Sequence, residues 1–244
     1  MSAVISVMRR ELRSYFVTPL AWVFSVIFLI LAGALTFYLG DFYERGQADL
    51  QPFFNFHPWL YLFLVPALSM QLWAEERKSG TLELLLTLPI TSTQAMLGKF
   101  FAAWIFVALV LALTFPIWLT VNYLGRPDNG VILAGYLGSL LMAGAYLAVG
   151  CCLSTLTRSQ VVAFVLTAAV CFVLLLAGQP LVLDAAGGIL PPPLVSAVAD
   201  MSFLYHFSAI ARGVLDVRDV IYFVLSILFW LAAGVLILNL RRAN

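Results

Sequence analysis

The chain has 244 residues, 63% of them hydrophobic and 10% charged, with a mean hydropathy of +1.02 and a formal net charge of +1. Soluble domains are about 45–50% apolar and about 25% charged, so a chain this apolar cannot hide its surface from water and reads as an all-α membrane protein of one domain, 1–244. A near-neutral balance, with no basic patch interleaved with aromatics, argues against nucleic acid as a partner.

In chain order, the first segment is MSAVISVMRRELRSYFVTPL. Val4, Ile5, Val7, Met8, Leu12, Tyr15 and Phe16 alternate with Arg9, Arg10 and Arg13 at helical spacing. Residues 1–18 are therefore expected to form an amphipathic helix in the headgroup layer, before Pro19 turns the chain inward. The apolar run from Phe16 to Gly40 is too long for the roughly 7–15 residues of a signal-peptide core, so it reads as a retained span. Six apolar runs follow, at about 19–40, 58–74, 100–124, 131–156, 160–180 and 219–240. Each is read as a transmembrane helix crossing about 30 Å of hydrocarbon at about 1.5 Å per residue.

Lys and Arg set the orientation. With the N-terminus inside, Arg9, Arg10, Arg13, Arg77, Lys78, Lys99, Arg158, Arg241 and Arg242 lie on one side and Arg45, Arg126, Arg212 and Arg218 on the other. That asymmetry predicts that both termini are cytoplasmic. The outer segment 41–57 is rich in aromatics and is expected to rest at the interface. Within 181–218, the stretch MSFLYHFSAIARGVL is too short to span and reads as a re-entrant or interfacial helix closed by Gly213.

Chemistry-bearing constellations are missing. With Asp219 counted in the outer segment, the runs hold no Asp, Glu, His or Arg, which speaks against proton-coupled transport and voltage sensing. No HExxH, GxSxG or GxxxxGKS/T pattern occurs, so neither catalytic residues, nor a metal site, nor ATP binding by this chain is expected. His57 and His206 sit between aromatics and read as structural interfacial residues. Cys151, Cys152 and Cys171 read as packing residues.

The exception to this blandness is AEERKSGTLELLLTLPIT, residues 74–91. Trp73 ends the second run, and Glu75, Glu76, Arg77 and Lys78 are expected in water. Thr81 reads as an N-cap with Glu83 in the first turn, where a carboxylate suits the helix dipole. Leu82, Leu84, Leu85, Leu86 and Leu88 make the helix apolar nearly all round until Pro89 stops it. About two turns cannot stand alone, so the helix must dock, either on the membrane and its own bundle or in a partner's groove. Thr91 with Gln94 forms a capping box opening the next helix.

These residues carry a resemblance. EERKSGTLELLLTLPIT resembles the cytoplasmic loop of the ABC-2 superfamily of transporter permeases, and the six-span layout with its amphipathic first helix and re-entrant segment is similar too. HFSAIARGVLDVRDVIYF, residues 206–223, resembles the tail of gliding-motility-associated (Gld-type) permeases and of relatives in nitrous oxide reductase maturation, and the short chain favours the gliding-type branch. The resemblance implies a permease subunit of a bacterial inner-membrane exporter. It binds no cofactor itself, while ATP and Mg belong to a partner cytoplasmic ABC ATPase. It also implies a second membrane partner, which is a different permease, an auxiliary Gld-type subunit or a second copy. Carried over by motif, Glu75, Glu76, Arg77, Gly80, Thr81, Glu83, Leu84, Leu85 and Pro89 would form the coupling helix and its rim. A non-transporting anchor or scaffold is the alternative, and a lipid-modifying enzyme lacks its constellation.

Overall fold

The computed structural model describes residues 3–81, 90–188 and 191–242. All the regular structure in these residues is helical: α1 Ala3–Val17, α2 Pro19–Ala34, α3 Gln51–Ser69, α4 Gln71–Ser79, α5 Ser92–Ala112, α6 Phe115–Leu124, α7 Asn129–Ser154, α8 Gln160–Leu176, α9 Pro180–Gly187, α10 Pro192–Asp200, α11 Phe203–Ala211 and α12 Val217–Arg242. Local chemistry sets several boundaries. Pro19 opens α2, where its fixed φ suits the first turn. Thr91 and Gln94 make the expected capping box, the Thr91 hydroxyl accepting from Gln94 N at 3.2 Å and Gln94 Oε1 from Thr91 N at 3.1 Å. α11 ends in a Schellman turn at Gly213, with Val214 N donating to Ala209 O and Gly213 N to Ile210 O.

Four helical stretches among the described residues are long and apolar enough to cross a bilayer: Ala21–Leu39, Ser92–Leu124, Asn129–Ser154 and Val217–Leu240. The expected count of six is therefore not met by length and composition. α10 and α11 form a pair bent by 60°, which fits a broken span or a re-entrant hairpin and would make five. α8 is shorter, at 17 residues. The run at 58–74 is divided between α3, which carries Pro58 and Pro66, and α4, so polar and proline residues dilute it. Ser92–Leu124 has 33 residues. At about 1.5 Å each they reach about 50 Å, so one end of α5–α6 projects beyond any hydrocarbon layer.

The bundle is organised around α7, whose residues from Met142 to Val149 are fully buried. α3, α5, α8, α11 and α12 pack on it, and its many Gly, Ala and Ser residues admit close neighbours. One expectation changes here. The aromatic segment 41–57 does not rest at an interface throughout: α3 begins at Gln51, and Phe53, Phe54 and His57 are buried against α7. Both histidines are buried within the bundle, in keeping with a structural role. His57 has no exposed surface, clusters with the near-parallel rings of Phe28 and Tyr61 and meets Ser139 Oγ through Nδ1 at 3.3 Å. His206 is 3% exposed, its Nδ1 is 2.6 Å from Asp219 Oδ1 and its Nε2 is 3.0 Å from the Asp200 carbonyl. With its ring stacked 3.9 Å from Tyr222, His206 ties α10, α11 and α12 together. The three cysteines are free and buried, as expected of packing residues.

Candidate functional site

α4 carries the charged stretch singled out in the sequence. It follows α3 directly across Met70, whose backbone stays helical. Leu72, Trp73 and Ala74 anchor it, Trp73 and Ala74 with no exposed surface. Three of its polar groups then reach four other helices or their ends.

Glu76 turns inward. Its Oε1 lies 2.9 Å from Lys99 Nζ of α5 and 3.6 Å from Arg10 of α1. Lys99 also reaches Glu11 Oε1 at 3.3 Å, and Arg10 closes the circuit on the same oxygen at 2.6 Å. Two carboxylates and two cations thus form a formally neutral cluster. The Lys99 side chain is only 2% exposed, against 16% for Glu11 and 17% for Glu76. An ammonium this deep is tolerable only when paired, and the face of Trp73 adds a cation–π contact with its centroid 5.2 Å from Nζ. Burial works against ionisation of Glu11, but Lys99 and Arg10 together outweigh it and hold its carboxyl below the usual 4.5.

Arg77 caps a different helix. Its Nη1 donates to Thr155 O at 2.9 Å, a carbonyl at the end of α7 that has no intrahelical donor available. The Glu75 carboxylate accepts from Gln160 Nε2 at the start of α8. The expectation that residues 75–78 stand together in water therefore holds for Glu75 and Lys78, which are exposed, and only in part for Glu76 and Arg77, which are half-buried. Tertiary neighbours supply partners that outcompete hydration.

The end of α4 is set by Gly80, whose φ of +73° places it in the left-handed region. A side chain there would be strained although the space around it is open. Thr81 was expected to face forward as an N-cap. Its hydroxyl lies 2.9 Å from Ser79 Oγ and 3.4 Å from the Glu76 carbonyl, and the amides it would cap lie outside the described residues. Glu83, Leu84, Leu85 and Pro89 lie outside the described residues.

α1 is held on α5 along its length. Val7 packs on Gly98, where a Cβ would lie 2.7 Å from Val7 Cβ, and Tyr15 stacks on Phe106 at 5.2 Å. Val4, Val7, Glu11 and Tyr15 form the inward stripe. Sequence reasoning counted Lys99 only as an inside charge and did not single out Glu11. The signal was available in helical spacing: Lys99 lies at i+3 and i+4 from Met96 and Ala95, and Glu11 at i+4 from Val7, each on the buried face of its helix.

A family model described as ABC-2 family transporter protein matches residues 5–232, nearly the whole chain. No curated protein matches it.

Proposed function

We propose, because this chain belongs to the ABC-2 family of transporter proteins and is thus a membrane permease subunit, that it converts ATP hydrolysis by a separate cytoplasmic ABC ATPase into export or extrusion of a substrate. The observation that carries this reading is the rooting of α4. The helix ends at Gly80, immediately before residues 82–89, and through Glu75, Glu76 and Arg77 it grips α1, α5, α7 and α8. A push on 82–89 is thereby delivered to the whole bundle. Glu75, Glu76, Arg77, Gly80 and Thr81 form the root of the coupling device, with Glu76 and Arg77 acting toward the bundle. Glu83, Leu84, Leu85 and Pro89 form its outer part, where Leu84 and Leu85 fill a groove of the ATPase. ATP and Mg belong to that partner.

The chain sits in a bacterial inner membrane with both termini cytoplasmic. It crosses six times, α3–α4 and α8 completing the four longer spans, while α10 and α11 re-enter from outside. It pairs with a second copy or with a different, Gld-type membrane subunit. The tail at 206–223 supports the gliding-type branch. The path is lined by uncharged side chains and suits an amphipathic or lipid-like substrate, because a bare ion would find no compensating charge at membrane depth.

The experiment is copurification of the ATPase and its hydrolysis rate, at equal permease abundance. Truncating a buried interface anchor costs about 2 kcal/mol or more, so Leu84→Ala with Leu85→Ala is expected to lose the ATPase or uncouple it. A double variant that folds normally and keeps both properties would remove the coupling role of 82–89 and favour an anchor instead.

A further inference from the structure

The three arginines of α1 differ in what they touch. Arg10 is committed to Glu11 and Glu76. Arg9 and Arg13 are exposed, and neither makes an ion pair or a side-chain hydrogen bond among the described residues. With Leu12 and Phe16 they line a groove of about 330 Å³ on the outward side of the helix. The spacing 9, 12, 13, 16 is i, i+3, i+4, i+7, a single stripe, and it lies apart from the inward stripe of Val4, Val7, Glu11 and Tyr15. The groove pairs two cations with an apolar floor. Phe16 is 44% exposed, its ring edge-on to Phe106 and Trp22, so the groove runs toward the apolar side of α2. Among the described residues, the two carboxylates that α1 carries or contacts, Glu11 and Glu76, are neutralised by Lys99 and Arg10 and form no ion pair with Arg9 or Arg13.

We infer that this groove is a binding site for one anionic phospholipid, whose phosphate lies between the guanidinium groups of Arg9 and Arg13 and whose upper acyl chain lies on Leu12 and Phe16. Guanidinium suits a phosphate because its fork of donors matches the oxygens, and an amphipathic helix beside a bilayer offers its cations at headgroup level. A zwitterionic lipid lacks the net charge that two unpaired arginines favour. The site rests on the reading of α1 as an interfacial helix, but not on which leaflet it faces.

The test is native mass spectrometry of the full-length protein purified in detergent and supplied with equimolar phosphatidylglycerol and phosphatidylcholine, which reports lipid binding without reference to membrane orientation. Each basic residue near an anionic surface contributes roughly a fivefold preference, so the wild type is expected to retain phosphatidylglycerol about thirtyfold over phosphatidylcholine. Arg9→Gln with Arg13→Gln should abolish that preference, and Arg9→Lys with Arg13→Lys should keep most of it. Arg126→Gln, which removes an exposed charge beyond the far end of α6, should leave it intact. Equal retention of the two lipids by the wild type would overturn the site, whatever the variants do. So would full preference in the double Gln variant, or displacement of the lipid by millimolar inorganic phosphate, which would show an anion site without a lipid. Topology by cysteine labelling is read separately, so a wrong orientation and a missing lipid site give different results.

Discussion

Lys99 is the residue on which the inner cluster depends. It is buried to 2% exposure between two carboxylates and a tryptophan face. Removing one partner of a buried ion pair costs about 3–5 kcal/mol because the remaining charges stay desolvated. Lys99→Met, which keeps the volume, should therefore lower thermal stability in detergent sharply, whereas Lys78→Met at an exposed position should change it by less than about 1 kcal/mol. Equal stability of the two variants would contradict the cluster. Glu11 adds a pH signature. Its folded pKa lies below 4.5, so its contribution is present above the unfolded value and is lost as pH falls through the folded one. Glu11→Gln should be less stable than wild type at neutral pH, with the gap closing as pH drops below 4.5. A gap that stays constant through the acid range would assign the loss to packing. Arg77 belongs with these residues: its bond to Thr155 O makes Arg77→Ala cost about 1.5–3 kcal/mol, as for a hydrogen bond from a charged donor, more than a solvated rim charge.

At the scale of elements, the junction between α4 and residues 82–89 turns on one backbone angle. Gly80 holds φ at +73°, which an L side chain adopts at a cost of about 1–2 kcal/mol and which proline, locked near −65°, cannot adopt at all. Gly80→Ala is expected to reduce ATPase stimulation partially, and Gly80→Pro to abolish it while the protein remains folded in the membrane. Stimulation by the Pro variant at the wild-type rate would mean that α4 and the following residues move independently. A second junction lies between α1 and α5, where a side chain at Gly98 would collide with Val7. Gly98→Leu should lift α1 off the bundle, seen as protease cleavage within α1 that the wild type resists.

For the whole molecule, the clearest regularity is the contrast between α7, two thirds buried over its most apolar window, and Ala21–Leu39 or Val217–Leu240, each 22% buried. α7 is the axle; α2 and α12 present Trp22, Ile30, Leu228, Phe229 and Leu236 outward. An outward belt of this kind is what a bilayer covers. Topology follows at the same scale. Single cysteines at Ser79 and Arg158, in a background without Cys151, Cys152 and Cys171, should be labelled only from the cytoplasm, and those at Glu44 and Val214 only from outside. Labelling of Ser79 from outside would reverse the orientation and remove the ATPase from reach of α4.

The sequence alone determined what depends on neighbours along the chain. The membrane class followed from composition, the helical character from runs that must satisfy their own backbone in lipid, the capping box from Thr91 and Gln94, and the closing of α11 from Gly213. The family was legible in residues 74–91, and the match over 5–232 agrees with it at the level of the ABC-2 family. What only the tertiary structure decided is which apolar faces meet protein and which meet lipid, and which charges leave water. Lipid tails are as apolar as leucine, so an apolar run alone does not say whether its faces meet protein or lipid, and only the small residues of α7 hint at its buried place. Glu76 and Arg77 read like Lys78 in the sequence, yet only the fold brings Lys99 and Thr155 within bonding distance. A charge is drawn out of water by partners distant along the chain, and no local pattern encodes that distance.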